Sequence, residues 1–445
     1  MASRTPPSDA LAAWIAGRRW FATKTRRISA VVIEDAVPLG GGVLALARVT
    51  LDDGTEDRYA LPLSPAAAGQ VADALDDPAF CQALLDLVGR GGAAEGGRGE
   101  LRGVPTAAFP SPPPGDTTPR RLGGEQSNTS VAFGSTLILK HFRRLSPGLS
   151  PEEEIGRFLT ERVRFPHVPA LCGHLEYRRR DGGHFTLGIV QTLIAGARDG
   201  WEWTLDALGD PTRRRAVIEM LARLGAATAA LHGALASAAD DPDFAPEPID
   251  DADAGAWAGA VRAQLAAAAE ALSEARLAVD LPVDEGLRGL VGATKIRHHG
   301  DFHLGQTLYR EASGEPFIID FEGEPLRPLA ERRRKHTPLR DVAGMLRSID
   351  YAAAAARPDG DGWADGWRTE AARAFTDAYR AGARGAPFVP ASDEAFAHAV
   401  AVLVVEKAAY EIVYEANNRP EWVAIPRRGL LSAASALRAR GAGAA

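Results

Sequence analysis

Apolar and polar positions alternate with the period of a β-strand in the first third of the chain. β-Branched or alternating runs occupy 28–33, 42–51 and 57–61, and Asp53-Gly54 is a tight-turn dipeptide before the third run. Apolar side chains then recur every three or four residues over 65–90, which predicts a helix there. The pattern therefore predicts a β-rich N-terminal segment that is followed by one helix.

The remainder of the chain changes from β to helical patterns at about residue 200. Residues 89–118 are rich in Gly, Pro and Ala, which predicts a loop or a subdomain junction. Strand patterns return at 127–142, 171–177 and 186–193, and Ser150-Pro151 signals the start of a helix over 151–164. Alanine-rich helical patterns cover 213–238, 254–279, 340–356, 369–381 and 393–417, with a short β insert at about 296–321.

Composition and charge narrow the classes of function. The 445 residues include 51 basic and 58 acidic side chains, and a net charge of −7 argues against a general nucleic-acid binder. No apolar run reaches the roughly 18 residues of a membrane span, and the N-terminus lacks the apolar core of a signal peptide. Two cysteines cannot form a disulfide framework, which indicates a reducing compartment. We therefore expect a cytoplasmic protein with no nucleic-acid or membrane partner.

Lysine is rare in this chain, since 46 of its basic residues are Arg and 5 are Lys. The excess of Arg and Ala is typical of a GC-rich genome. Each lysine therefore marks a position at which Arg has not replaced it.

The clearest chemical pattern lies in the segment from His298 to Glu322. Gly300 allows a tight turn that presents Asp301 on a loop, and Gln306 offers an amide oxygen five residues later. An apolar strand over 317–319 then delivers a second carboxylate, Asp320, at its end. Two oxygen ligands for Mg²⁺ and a separate carboxylate that accepts a proton are what phosphoryl transfer requires.

These residues resemble the H-G-D-x-H-x-x-[NQ] … [IV]-D-[FWY] signature of the aminoglycoside-phosphotransferase-like kinases, which have the protein-kinase fold. The resemblance implies that Asp301 is the catalytic base and that Asp320 is the main Mg²⁺ ligand. Gln306 stands where Asn is more usual as a metal ligand, which adds one methylene. His303 either ties the loop together or contacts the substrate, and we favour the first interpretation.

The same resemblance assigns nucleotide-binding residues to the β-rich half. Lys140 ends a predicted strand, and its ammonium is expected to pair with phosphates of ATP. Glu154 is expected to hold that ammonium by a salt bridge, with Glu152 and Glu153 as rivals. A phosphate-covering loop and an adenine hinge complete the set, with contacts expected from Ser127, Asn128, Thr129, Ser130, Gln191 and Leu193.

Several longer strings narrow the family further. Residues 125–130, 320–333, 337–348 and 414–422 resemble actinobacterial maltokinases and glucosamine kinases, and the likeness covers nearly the whole chain. It implies an α+β, bilobal, protein-kinase-like fold with an N-terminal cap subdomain (1–90), a nucleotide-binding N-lobe (91–196) and a helical C-lobe (197–445). It also implies ATP and Mg²⁺ as cofactors, a monomer, and Glu322 as a further acid at the metal–phosphate site.

The last long helix and the residues after it are expected to bind a small-molecule sugar. Aromatic rings can stack on a sugar face while carboxylates and amides bind its hydroxyls, and the candidates are Tyr410, Glu411, Glu415, Asn417, Arg419 and Trp422. The alternative interpretation is core packing, with Arg419 bridging two acids. Asn417 stands where maltokinases usually carry a basic residue. The lost positive charge suits an ammonium and favours glucosamine 6-phosphorylation over phosphorylation of maltose at its anomeric hydroxyl.

Three other functions compete with glucosamine phosphorylation. A maltokinase stays the main alternative, and an aminoglycoside-resistance kinase is disfavoured because acidic loops for a polycation are not evident. A pseudokinase or sugar-binding regulator is disfavoured because Lys140, Asp301 and Asp320 are all present.

Overall fold

The computed structural model describes residues 6–21, 26–65, 70–112, 115–123, 128–274, 281–324, 327–356 and 362–442. The chain divides into two compact units, which we call the N-terminal unit (Met1–Ala195) and the C-terminal unit (Gly196–Ala445). Within the described ranges, no helix has the length and apolar character needed to cross a membrane. The finer division of the first 196 residues into cap and N-lobe stays a prediction.

The N-terminal unit is built mainly from strands. Its helices are α1 (Ser8–Ala16), α2 (Pro78–Gly89) and α3 (Pro151–Arg157), and α3 continues as a π-helical segment, Phe158–Val163. Its strands are β1 (Ile28–Leu39), β2 (Gly42–Leu51), β3 (Glu56–Ser64), β4 (Ala72–Asp73), β5 (Ala93–Glu95), β6 (Gly99–Pro105), β7 (Pro119–Arg121), β8 (Asn128–Phe133), β9 (Leu137–Phe142), β10 (Arg144–Leu145), β11 (Leu171–Arg179) and β12 (His184–Thr192).

These strands form two antiparallel sheets. The first has the order β1-β2-β3-β10 with β4 beside β3, and the second has the order β5-β6-β11-β12-β9-β8-β7. Apolar side chains of α1 and the first sheet form one core, which includes Leu11, Trp20 and Tyr59. A larger core lies between α2 and the second sheet and includes both cysteines, Cys81 and Cys172, whose thiols are free. Burial raises the pKa of each thiol to about 12.

One prediction for this unit is wrong. The helix predicted over 65–90 begins only at Pro78, because the Asp77 side chain accepts a hydrogen bond from the Ala79 N–H and caps it there. The Gly-rich segment 89–118, which was predicted to contain a loop or a subdomain junction, also contains β6. A Cβ at Gly103 would lie 2.3 Å from the carbonyl oxygen of Leu87 on α2. The glycine therefore permits close packing of helix on strand and does not mark a loop.

The C-terminal unit is mainly helical, as predicted. Its helices are α4 (Gly200–Gly209), α5 (Arg214–Leu235), α6 (Asp251–Ala271), α7 (Val283–Arg288), α8 (Leu329–Arg332), α9 (Leu339–Ala355), α10 (Trp363–Gly382), α11 (Asp393–Asn418) and α12 (Ala424–Ala442). Its strands are β13 (Arg198–Asp199), β14 (Glu247–Pro248), β15 (Thr294–Lys295), β16 (Thr307–Arg310) and β17 (Glu315–Ile318). Strands β13, β16 and β17 form a small sheet, and the loop that carries Asp301 precedes β16.

Helix α9 packs against that loop. It contacts α10, α11 and α12, and its Gly344 lies against the loop backbone. A Cβ at Gly344 would lie 2.5 Å from the carbonyl oxygen of Phe302. The absence of a side chain at this position lets the helix axis approach the loop closely enough for side chains of α9 to bind its backbone.

Candidate functional site

A buried carboxylate on α9 holds the turn that presents Asp301. Gly300 adopts a left-handed φ of +85°, and its N–H donates to Asp341 Oδ1 at 2.9 Å. The N–H of His299 donates to Asp341 Oδ2 at 2.8 Å, and His232 Nε2 donates to the same oxygen at 3.0 Å. Although burial raises it, contacts with His232 and neighbouring histidines lower the pKa of Asp341 well below its ordinary value. The loop is therefore fixed by an ionised side chain.

Histidines within the loop hold its other parts in place. His299 Nε2 donates to the carbonyl oxygen of Ile319 at 2.9 Å, which joins the loop to the end of β17. His303 Nδ1 accepts from the Gly305 N–H at 3.1 Å, and burial lowers the pKa of His303. His303 thus ties the loop together as the sequence interpretation favoured, and its alternative role in substrate binding stays a prediction.

The two predicted metal ligands lie side by side. Gln306 Nε2 donates to Asp320 Oδ2 at 2.6 Å, and Asp320 has a left-handed φ of +69°. No group of three or more His, Cys, Asp and Glu side chains in the described ranges could hold a metal ion. Mg²⁺ usually takes one or two carboxylates and completes its shell with substrate phosphates and water. The pair of Gln306 and Asp320 therefore fits an ion that arrives with a nucleotide.

Glu322, the third residue predicted for the metal–phosphate site, lies two residues beyond Asp320. Arg332 donates to the backbone carbonyl oxygen of Glu322 at 3.0 Å, which fixes the backbone there. Participation of the Glu322 carboxylate in metal binding stays a prediction.

A lysine that the sequence interpretation did not select contacts the predicted base. Lys407 Nζ on α11 lies 3.0 Å from Asp301 Oδ1 and 2.8 Å from Glu324 Oε1. Burial opposes its charge, but Asp301 and Glu324 raise the pKa of Lys407 well above the ordinary 10.5. Burial likewise raises the pKa of Glu324, but Lys407, Arg340 and Arg327 lower it to about 2. Lys407 and Glu324 are therefore both charged at neutral pH.

These residues line a cleft that is bounded by the loop that carries Asp301, by α9 and by α11. The described residues that line it carry four carboxylates and three cationic side chains, with Tyr410 beside them: Asp301, Glu324, Asp341, Glu406, Arg327, Arg340 and Lys407. Of the predicted sugar-binding residues, Asp301 and Tyr410 are brought together here. Seven of the twelve described residues that line the cleft are charged, and such side chains can bind the hydroxyl groups of a ligand.

The other predicted sugar-binding residues on α11 are occupied by contacts within the helical unit. Glu411 accepts from Arg347 Nε at 2.8 Å, and burial raises the pKa of Glu411. Both oxygens of Glu415 are hydrogen-bonded to Arg419, at 2.8 Å and 2.7 Å. Arg419 contacts one acid, whereas the core-packing alternative expects it to bridge two, and its side chain is 48% exposed.

Two more candidates lie at or beyond the end of α11. The Trp422 ring stacks on Tyr351 with centroids 6.2 Å apart, and Asn417 is exposed and donates to the carbonyl oxygen of Val413. Sugar binding by Glu411, Glu415, Asn417, Arg419 and Trp422 stays a prediction.

In the N-terminal unit, Lys140 lies on β9 and faces an acid of α3. Its Nζ is 3.8 Å from Glu152 Oε1, one of the two rivals of Glu154. The other rival, Glu153, accepts from Thr186 Oγ1 at 2.8 Å and lies 3.4 Å from His174 Nε2. The choice of a partner for Lys140 therefore lies between Glu152 and Glu154.

The predicted phosphate-covering residues are at the start of β8. Ser127 lies outside the described residues, and β8 pairs with β9 so that Asn128 is opposite Phe142 and Ser130 is opposite Lys140. Thr129 is fully buried, and its hydroxyl accepts from Arg143 Nε at 2.9 Å. The Thr129 hydroxyl therefore faces the interior of the unit.

The predicted hinge residues lie at the end of β12, with Gln191 inside the strand and Leu193 just after it. Gln191 pairs with Ile138 on β9, and the Leu193 N–H donates to the carbonyl oxygen of Thr136 at 2.8 Å. The backbone N–H of Leu193 therefore already has an acceptor. Adenine recognition by Gln191 and Leu193 stays a prediction.

Comparisons with known proteins agree with this arrangement. A family model described as the phosphotransferase enzyme family matches residues 118–388, and one described as the maltokinase N-terminal cap domain matches 14–83. A glucosamine kinase from Streptacidiphilus jiangxiensis is 29% identical over 388 residues, which cover 83% of this chain and 84% of that protein. A glucosamine kinase from Mycolicibacterium smegmatis is 29% identical over 334 residues, which cover 70% and 78%.

A solved structure is also similar over almost the whole chain. It is that of a glucosamine kinase in complex with glucosamine, ADP and inorganic phosphate, and it is 25% identical with a TM-score of 0.67. The match covers 96% of this chain and 99% of that one. The likeness therefore extends over both units.

Proposed function

The chain belongs to the phosphotransferase enzyme family, and from that premise we propose that it transfers a phosphoryl group from ATP to the 6-hydroxyl of glucosamine. The suspected family and the α+β, protein-kinase-like fold with an N-terminal cap are confirmed by the two family matches. The observation that carries the proposal is the Asp301 loop, which Asp341 holds by hydrogen bonds, together with the hydrogen-bonded pair of Gln306 and Asp320. Relatives of 29% identity that are named glucosamine kinases support the choice of sugar.

Asp301 performs the proton transfer in the proposed reaction. Its carboxylate orients the 6-hydroxyl and accepts its proton while the hydroxyl oxygen attacks the γ-phosphorus of ATP. The bond between that phosphorus and the β–γ bridging oxygen breaks, and the products are glucosamine 6-phosphate and ADP. Asp341 keeps Asp301 in position, because it binds the two peptide N–H groups that precede it.

Separate residues are proposed for the nucleotide phosphates and for the metal ion. Lys140 pairs with phosphates of ATP, and Asp320 and Gln306 hold Mg²⁺. The ion supplies charge neutralisation on the phosphate oxygens. The hydrogen bond between Gln306 and Asp320 keeps the side-chain oxygen atoms that would bind the metal close together.

Phosphorylation of maltose is the second candidate function. The observation that favours it is the match of 14–83 to the maltokinase N-terminal cap domain. A panel of acceptors separates the two candidates: ADP release is measured with Mg²⁺-ATP and glucosamine, glucose, maltose, N-acetylglucosamine or kanamycin. We expect turnover with glucosamine, and turnover with maltose alone would replace the proposal with the second candidate.

The role of Asp301 is tested by the variant Asp301→Asn. We expect kcat to fall by about 10²–10⁴-fold, the usual contribution of a general base, while ATP binding stays near the wild-type value. Asp365→Asn on α10 is the matched control, because its carboxylate is exposed. Undiminished turnover of Asp301→Asn would exclude Asp301 as the base.

A further inference from the structure

The ammonium group of Lys407 contacts the carboxylate of the predicted base, Asp301. Its ammonium lies 3.0 Å from Asp301 and 2.8 Å from Glu324, and it is 4.8 Å from the centre of the Tyr410 ring. The side chains of Lys407 and Asp301 are 17% and 19% exposed, so water and salt screen their attraction only weakly. Two of the carboxylates in the cleft, those of Asp301 and Glu324, are thus already paired with the Lys407 ammonium.

The Lys407 ammonium affects the orientation in which an amino sugar can bind in the cleft. In glucosamine the ammonium is on carbon 2 and the 6-hydroxyl extends from carbon 5. These two carbons lie across the pyranose ring from each other. If the ammonium bound to Asp301 and Glu324, the 6-hydroxyl would point away from the base and the complex would be unproductive. A second cation close to Lys407 is repelled, because like charges at contact distance in a partly buried cleft cost free energy.

We propose that Lys407 is a specificity-determining residue that excludes the substrate's ammonium from Asp301 and Glu324, so that the 6-hydroxyl is delivered to the base. The inference rests on the proposed function, since it requires an amino sugar as acceptor. Removal of Lys407 leaves Glu324 with its ion pair to Arg327 but takes the neighbouring cation from Asp301. The vacated position then attracts the ammonium of the sugar.

Binding of two sugars of the same size isolates this effect. Glucosamine and glucose differ at carbon 2, where one carries an ammonium and the other a hydroxyl. Dissociation constants for both are measured by calorimetry with the full chain, Mg²⁺ and a non-hydrolysable ATP analogue. In Lys407→Met we expect glucosamine to bind about tenfold more tightly, the scale of one new charge-assisted contact, and glucose to bind no more tightly than before.

Steady-state kinetics give the second readout. With glucosamine, kcat and KM should fall together in Lys407→Met, because the sugar is trapped in the reversed orientation. Lys407→Arg keeps the charge and should restore the wild-type ratio of the two dissociation constants. Lys295→Met is the control, since Lys295 is 19% exposed and lies 2.7 Å from Asp253, outside the residues that line the cleft.

The outcomes separate this inference from the proposed function. Equal changes for glucosamine and glucose in Lys407→Met, or an arginine variant that behaves like the methionine variant, would overturn the inference. Failure of the wild-type protein to phosphorylate glucosamine would instead overturn the proposed function. If Lys407→Met does not fold, Lys407→Gln, which removes the charge and keeps a polar group, is measured in the same way and judged by the same criteria.

Discussion

Replacement of Asp341 by Asn should loosen the loop that carries Asp301 while leaving the size of the side chain at 341 unchanged. The Asp341 carboxylate accepts from two peptide N–H groups through different oxygens, at 2.8 Å and 2.9 Å, and also from His232. An amide retains one oxygen, and its NH₂ group then faces an N–H donor. One buried N–H therefore loses its acceptor in either orientation of the amide.

The expected cost follows from these contacts. A hydrogen bond to a charged group is worth about 1.5–3 kcal/mol, and the remaining contacts are weakened when the charge is lost, so we expect about 2–4 kcal/mol less stability. Unfolding free energies are about 5–15 kcal/mol, so the variant should still fold. Because a displacement of about 1 Å can cost about 10²-fold in rate, kcat should fall by about two orders of magnitude.

The assay combines urea unfolding with steady-state kinetics at neutral pH. Asp365→Asn on α10 is the control, because the Asp365 carboxylate is 81% exposed and makes only a long contact with Arg368. Equal stability and equal kcat for Asp341→Asn and Asp365→Asn would refute the argument that Asp341 holds the loop.

Acid titration adds an independent check of the same prediction. The pKa of Asp341 is lower in the folded than in the unfolded protein, where it is about 3.8. Its ionised form therefore stabilises the fold fully above that value, and this contribution is lost as the pH falls through the folded pKa. The stability advantage of the wild-type protein over Asp341→Asn should shrink below about pH 4. An advantage that is constant down to the lowest pH at which both fold would contradict the assignment.

Two further predictions concern the metal pair and the N-terminal unit. Gln306→Ala should raise the Mg²⁺ concentration that gives half of the maximal thermal stabilisation by ADP, by about tenfold or more, the scale of losing one partner at a metal site; an unchanged Mg²⁺ titration would remove Gln306 from the site. Arg143→Met should destabilise the protein by about 3–5 kcal/mol in urea unfolding, because it leaves the buried Asp73 carboxylate, 2.5 Å from Arg143, without this partner. Arg144→Met, which breaks a more exposed ion pair, should cost about 0–1 kcal/mol, and equal losses in the two variants would contradict the reasoning.

Much of the helical half could be predicted, because α5, α6, α9, α10 and α11 each carry a periodic pattern. Helices α4, α7, α8 and α12 were not predicted. The predictions over 340–356 and 393–417 differ by one residue at most from α9 and α11 at each end. The β-rich half was harder, since glycine has two opposite uses. Gly103 lies in a strand because α2 packs on it, and no pattern within 89–118 distinguishes that use from a turn.

The candidate site divides in the same way. Asp301, Gln306 and Asp320 could be found because their motif is local, and the structure places the last two in hydrogen-bond contact. Asp341 and Lys407 contact the loop from 41 and 106 residues away, and no local spacing encodes such contacts. One signal for Lys407 was present, because it is one of five lysines in a chain that otherwise uses Arg.

The burial of both cysteines makes the natural chain a convenient background for spectroscopy. Cys81 is 1% exposed and Cys172 is fully buried, and a thiol with a pKa of about 12 is almost entirely protonated at neutral pH. Maleimide reagents require an accessible thiolate, so a single cysteine introduced at an exposed position should be labelled selectively without removal of the natural ones. A fluorophore attached to one such residue of the C-terminal unit, close to the cleft, would report sugar binding in solution through a change in its emission.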